Sequence, residues 1–134
     1  GEAFLAKPSV QTVSNSMDVG NPSNFPRLLA LYDFDEKQLK QQVSGAFYSD
    51  SETVRAIQKV NEAGYTMDPH GAVGYLGLVD FMKDAPGFQG VYLETAHPGK
   101  FRDVVEKALG EKLILPERLA AFLEGEKKVI PTLL

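Results

Sequence analysis

The sequence predicts an α/β fold that is mostly helical and carries few strands, and three observations lead there. Apolar residues recur at three- and four-residue spacing through most of the chain. Helix starts and stops are marked by capping residues and glycines, and only three short stretches are β-prone. With 134 residues and 43% hydrophobic content, the chain can form one core and is too short for two ordinary domains. Residues 1–134 are therefore read as a single domain.

Val10-Gln-Thr-Val13 alternates as a strand does. The Asn15-Ser-Met-Asp18 and Asn21-Pro-Ser-Asn24 stretches are dense in residues that turn chains and cap helices. A helix is predicted after Asn24, through Arg27 to Leu31, and another from about Glu36 to Val43, with Leu39 and Val43 four apart and Gly45 as its stop. Phe47-Tyr48 is a possible second, very short strand. Ser49 and Glu52 have capping-box spacing, and the helix they open groups Val54, Ile57 and Val60 before Gly64 ends it.

Asp68 fits an N-cap, because its side-chain oxygen can accept a free backbone N–H, and Pro69 suits the first helical position, where its missing donor is not needed. The helix from Pro69 to about Lys83 is apolar almost all round through Val73, Leu76, Leu78, Val79 and Met82, so it is predicted to be buried. Val91-Tyr-Leu-Glu94 is the clearest strand, with Thr95 at its carboxyl end. Pro98 opens a helix carrying Phe101, Val104, Val105 and Ala108 on one face and stopping near Gly110. The last helix runs from about Pro116 to Leu123, with Leu119, Phe122 and Leu123 inward and Gly125 at its end, and Glu124-Gly-Glu-Lys-Lys128 reads as solvated surface. Three strands make a thin sheet, whose edges stay unpaired unless strands join from elsewhere.

A formal charge of −4 and no basic cluster argue against a nucleic-acid surface, which needs concentrated Lys and Arg. The absence of cysteine excludes disulfides, thiolate metal sites and a cysteine nucleophile, and is compatible with a reducing cytoplasm. No apolar run is long enough to span a bilayer and no leader pattern opens the chain, so a cytoplasmic location without membrane contact is expected.

Two stretches bring polar residues to helix mouths, where α/β proteins hold ligands: Asp68-Pro-His-Gly-Ala-Val-Gly74 and Leu93-Glu-Thr-Ala-His-Pro-Gly-Lys-Phe101. By local sequence, Thr95 is better explained as a strand end or helix cap than as a ligand contact. His70 lies in the first turn of its helix, where the dipole disfavours the protonated ring, and its neutral form can hydrogen-bond a substrate or a loop. His97, just before a helix proline, is a supporting group. Asp68, His70 and His97 also invite a metal reading, but the histidines are far apart in sequence and no His-x-x-x-His pair or thiolate is present, so no metal site is expected.

These two stretches, together with Ser16-Met-Asp-Val-Gly-Asn-Pro-Ser-Asn-Phe-Pro-Arg-Leu28, resemble threonine synthase, a pyridoxal-phosphate enzyme of fold type II, and stand in that family's order near its carboxyl end. The resemblance covers essentially the whole chain, and three motifs in register are far more specific than one. Gly71 departs from the family's usual threonine and Gly99 from its usual alanine. The resemblance implies a helix-rich carboxyl-terminal part of the large catalytic domain. It also implies conversion of O-phospho-L-homoserine and water to L-threonine and phosphate, with pyridoxal 5'-phosphate as cofactor.

The resemblance further maps contact with the cofactor's pyridine nitrogen onto Thr95, reversing the order favoured by local sequence. Supporting places in the substrate site fall to Asp68, His70, His97, Asn15 and Ser16. No catalytic residue is assigned. The family's Schiff-base lysine and glycine-rich phosphate loop precede this region, and none of the ten lysines here has that lysine's context. The spaced Gly71, Gly74 and Gly77 lie in an apolar helical run and not in a phosphate loop. The expected partners are the missing amino-terminal part of the enzyme and a small-molecule substrate, and the chain alone is expected to be inactive. Two rivals are weighed: a stand-alone small-ligand-binding or regulatory module, and a threonine dehydratase-like lyase of the same fold. The Ser16 to Leu28 stretch speaks for threonine synthase over the lyase.

Overall fold

A computed structural model of the chain describes residues 8–16, 19–20 and 22–126. Six α-helices follow one another among these residues: α1 (Phe25–Leu31), α2 (Glu36–Gln42), α3 (Asp50–Glu62), α4 (Pro69–Asp84), α5 (Arg102–Leu109) and α6 (Glu117–Glu124), with a 3₁₀ turn over Pro98–Phe101 leading into α5. Five of them begin within a residue of the predicted start, whereas α5 begins four residues after Pro98, where the 3₁₀ turn opens instead. Ser49 and Glu52 form the full capping box of α3, the Ser49 hydroxyl accepting from Glu52 N–H and the Glu52 carboxylate from Ser49 N–H. Asp35 caps α2 and Asp68 caps α4. Gly64 (φ +90) and Gly110 (φ +73) take the left-handed conformation that ends α3 and α5.

The core is small and lies where α3, α4 and α5 meet. Ala56 and Ile57 of α3, Met67 from the loop before α4, Ala72 of α4, and Val105 and Ala108 of α5 are buried together, with Val54, Val60, Tyr75, Leu76, Tyr92, Phe101, Leu109 and Leu113 packed around them. Gln58 crosses from α3 to donate from Nε2 to the Ala108 carbonyl at 2.7 Å, satisfying an acceptor near the end of α5. Beside this core the chain exposes 11162 Å² of surface, where a compact monomer of its mass would expose about 7000 Å².

No strand forms among the described residues, and this corrects the reading of Val10–Val13, Phe47–Tyr48 and Val91–Glu94 as strands. The physical reason is that a strand is defined by a neighbour that pairs its backbone, and no neighbour is present here. The 88–94 segment instead runs antiparallel along α4. Phe88 meets Phe81 (ring centroids 6.5 Å apart), Tyr92 meets Tyr75 (5.9 Å), and Gly90 lies against Leu78. Alternate residues of an extended chain thus land on successive turns of the helix, while Val91 (85% exposed) and Leu93 (75%) point away.

Two packing expectations also fail. Only Pro69, Gly71 and Ala72 of α4 are buried, and Phe81 is exposed. Phe122 (78% exposed) and Leu123 (48%) do not point inward from α6. An apolar face is buried only where a partner covers it, and among the described residues these side chains are covered only in part. Met17, Asp18 and Asn21 of the first motif, and Lys127 and Lys128 of the charged run, lie outside the described residues.

Glu106 ties the loop after α5 back onto that helix. Its carboxylate accepts from Lys112 Nζ at 2.9 Å, Arg102 Nε at 2.8 Å and the Leu113 N–H at 3.0 Å. The Lys112 and Arg102 contacts, then the Leu113 N–H, hold it down at about 2. Because this lowered value belongs to the folded state, the stabilisation is present above the ordinary glutamate range and is lost as pH falls towards about 2. Urea midpoints of the chain measured from pH 5 to pH 2 are expected to fall less steeply for Glu106→Gln than for the parent. Parallel acid limbs would show that the three contacts contribute nothing.

Candidate functional site

Asp68, His70 and Glu94 come together at the amino terminus of α4, and Thr95 is the next residue of the segment that carries Glu94. Asp68 is fully buried, and its Oδ1 accepts from His70 N–H at 2.8 Å, which is the N-cap bond. The same oxygen lies 2.9 Å from His70 Nδ1, which fixes the ring over the first turn. Phe101 closes the other side of that ring edge-to-face, with centroids 4.8 Å apart.

Glu94 reaches this group from the extended segment. Its Oε1 accepts the Asp68 N–H at 2.6 Å, one of the donors a helix start leaves free. The carboxyl occupies a notch on α4: a Cβ at position 71 would meet the Glu94 carboxyl. Gly71 thus leaves room for the Glu94 carboxyl in this arrangement, and a larger residue there would oblige that carboxyl to shift. Burial, followed by the neighbouring Asp68 carboxyl, pushes Glu94 up to about 7. For Asp68, burial acts upward, but the hydrogen bonds from Glu94, the His70 N–H and the His70 ring outweigh it and hold it below the ordinary aspartate value.

Thr95 follows Glu94 directly and lies on the opposite, outward side of the segment with Val91 and Leu93. It is exposed, and its hydroxyl has no hydrogen-bond partner among the described residues. His97 is separate: its Nδ1 accepts Gly99 N–H at 3.0 Å and caps the 3₁₀ turn. It borders an open cleft of about 440 Å³ shared with Tyr65, Thr66, Lys112 and Ile114. Asn15 lies in a turn whose Oδ1 takes hydrogen bonds from the Thr12 N–H (3.2 Å) and hydroxyl (2.7 Å). The adjacent Val13 N–H donates to Asp50 Oδ1 at 3.1 Å, placing Asn15 and exposed Ser16 beside the start of α3. The residues proposed from sequence thus fall into three groups: Asp68 with His70 and Thr95, His97 on the cleft, and Asn15 with Ser16.

Glu94 was not among the residues proposed from sequence. The signal was present: alternation from Phe88 puts Gly90, Tyr92 and Glu94 on one side of an extended chain, so an acidic group had to face the same partner as two aromatic rings. Among the described residues no group of three or more potential metal ligands forms. Among the described residues no helix is long and apolar enough to cross a membrane.

Residues 71–132 match the family model described as "Threonine synthase, C-terminal". The chain is 43% identical over 114 residues to threonine synthase of Escherichia coli (strain K12), covering 85% of this chain and 26% of that protein. With threonine synthase of Haemophilus influenzae it is 42% identical over 113 residues, covering 84% and 26%. Its fold matches the crystal structure of threonine synthase from Escherichia coli with a TM-score of 0.77 at 41% identity, over 88% of this chain and 27% of that one. A PLP-bound threonine synthase from Brucella melitensis matches with a TM-score of 0.61 at 28% identity, over 91% and 31%. The chain spans about a quarter of the length of the curated relatives it matches. In sequence and in fold, the chain is similar to the carboxyl-terminal part of threonine synthases.

Proposed function

We propose that this chain supplies one wall of a pyridoxal 5'-phosphate site in a threonine synthase. The complete enzyme converts O-phospho-L-homoserine and water to L-threonine and phosphate. The observation that carries this reading is the free, outward hydroxyl of Thr95, on a chain that matches a threonine synthase at 43% identity. A threonine hydroxyl buried in its own network could not serve. When bound, the cofactor supplies an electron sink for carbanion chemistry.

The chain's own residues bind and orient. Thr95 Oγ1 hydrogen-bonds the pyridine nitrogen, and a hydroxyl, unlike a carboxylate, does not force that nitrogen to stay protonated. His70, held by Asp68, and His97, whose Nδ1 is engaged by Gly99 N–H, are supporting groups on the substrate side, as are Asn15 and Ser16. The covalent anchor, the phosphate loop and the strands that cover the face of Val91 and Leu93 belong to the remaining part of the enzyme. Isolated, this chain is inactive and takes up no cofactor stoichiometrically. The complete enzyme works in the cytoplasm, away from membranes and nucleic acid.

In the complete enzyme, Thr95→Ala is expected to weaken cofactor affinity about 5- to 10-fold, the effect of one hydrogen bond, with the covalent linkage intact. Cofactor titration followed by absorbance measures this, and unchanged affinity together with unchanged turnover removes Thr95 from the site. Turnover of phosphohomoserine against turnover of threonine tests the reaction. Preferred deamination of threonine would show a lyase of the dehydratase type.

A further inference from the structure

We propose that Glu94 is a positioning residue: its carboxyl, lodged in the notch left by Gly71, shares a single hydrogen with the Asp68 carboxyl and so pins the Thr95 segment to the amino terminus of α4. Three observations meet here. Asp68 Oδ2 and Glu94 Oε2 are both buried and neither has a hydrogen-bond partner, although the two residues are neighbours through the 2.6 Å bond from the Asp68 N–H to Glu94 Oε1. Two carboxylates cannot share such a place, whereas one hydrogen satisfies both orphan oxygens. The carboxyl occupies the space that the absent side chain of Gly71 leaves, so a Cβ at 71 would displace it.

The assignment of the hydrogen follows from the surroundings. Asp68 accepts the His70 N–H at 2.8 Å and sits at the positive end of α4, so it keeps the negative charge. Glu94 accepts only a neutral backbone N–H, so it keeps the proton and donates from Oε2 to Asp68. The other titratable groups facing the pair are His70, on Asp68, and Tyr92, whose phenol is raised by burial and then by Glu94. Both pKa directions agree with this assignment, Glu94 upward and Asp68 downward. The sign of the pH dependence follows. The Glu94 contribution to stability is present at and below the ordinary glutamate range and is lost as pH rises through about 7, when the proton leaves to water and two carboxylates face each other. The Asp68 contribution is present above the ordinary aspartate range and is lost as pH falls below it.

For the cofactor pocket, the inference rests on the reading of Thr95 above, and its test is read separately. In the complete protein, the ¹³C resonance of the Glu94 carboxyl, assigned by its loss in Glu94→Gln, is expected to titrate near 7. A titration in the ordinary glutamate range, about 4.3, overturns the proposal. Hydrogen exchange of the Asp68 amide is expected to accelerate about tenfold or more in Glu94→Ala and to stay within about twofold in Glu94→Gln. The carboxamide can both donate to Asp68 and accept its N–H; equal acceleration in the two variants overturns the proposal.

Gly71→Ala should lower the melting temperature, and adding Glu94→Ala should recover most of that loss. An additive pair of losses also overturns the proposal. If Thr95→Ala leaves cofactor affinity unchanged while Glu94 titrates near 7, the reading of Thr95 falls and the Glu94 pair stands. If Thr95→Ala weakens binding and Glu94 titrates normally, the reverse holds.

Discussion

Ile57→Ala is expected to destabilise the chain by about 2–5 kcal/mol, the range for truncating a buried aliphatic side chain and leaving a cavity. Ile57 is completely buried and sits in the only cluster where three helices meet among the described residues. Its neighbours cannot readily close the gap. Ala56, Ala72 and Ala108 are too short to move in, and Met67 and Val105 are already fully buried. Domains of this size are stable by only about 5–15 kcal/mol, so the loss is a large fraction of the whole. Urea unfolding followed by far-ultraviolet circular dichroism measures it, read as a lower midpoint at unchanged slope. A change below about 1 kcal/mol would mean that the α3–α4–α5 junction is loose enough to collapse around the deletion.

Asp68→Ala is expected to cost about 2–4 kcal/mol, because it removes an N-cap and also the acceptor at the centre of a buried network. The His70 N–H and ring lose their partner, and the buried Glu94 Oε2 loses its only neighbouring acceptor. Asp68→Asn separates the two effects. Its carbonyl oxygen can still cap α4, so most of the cap stabilisation survives. Its amide can donate to Glu94, which now favours the ionised form, so stability should no longer fall between pH 5 and pH 8 as it does for the parent. Thermal unfolding of the three proteins across that range is the measurement. An Asn variant as unstable as Ala, or one that keeps the parent's pH slope, would show that the charge on Asp68 is not what organises the site.

Local chemistry was legible wherever it acts within one turn. Ser49 with Glu52, Asp68 with Pro69, and Gly64 and Gly110 each satisfy or terminate backbone groups a few residues away, so their spacing located α3, α4 and α5. The extended character of Val91–Glu94 was also legible, and its alternation does sort the segment into an inner side with Tyr92 and Glu94 and an outer side with Val91 and Leu93. What the segment packs against was not. Periodicity states which residues share a side and says nothing about whether that side meets a strand or a helix. The same limit misled the reading of Phe122, because amphipathicity marks a face that needs cover without supplying the cover.

Of the candidate site, Asp68, His70 and Thr95 were read from two helix mouths, but Glu94 was seen only as the last residue of a strand. Its role depends on residues 23 to 26 positions away that reach it through space: Gly71 opens the notch, and Asp68 offers its N–H and its carboxyl. The sequence by itself determined the helices, their caps and the likeness to threonine synthases, since these rest on short-range backbone chemistry and on motifs in register. Tertiary structure alone decided that a carboxyl fills the space above Gly71, that Thr95 faces outward, and which apolar faces stay open. Those outcomes follow from packing between segments distant in the chain, and exclusion of one atom by another leaves no periodic mark in the sequence.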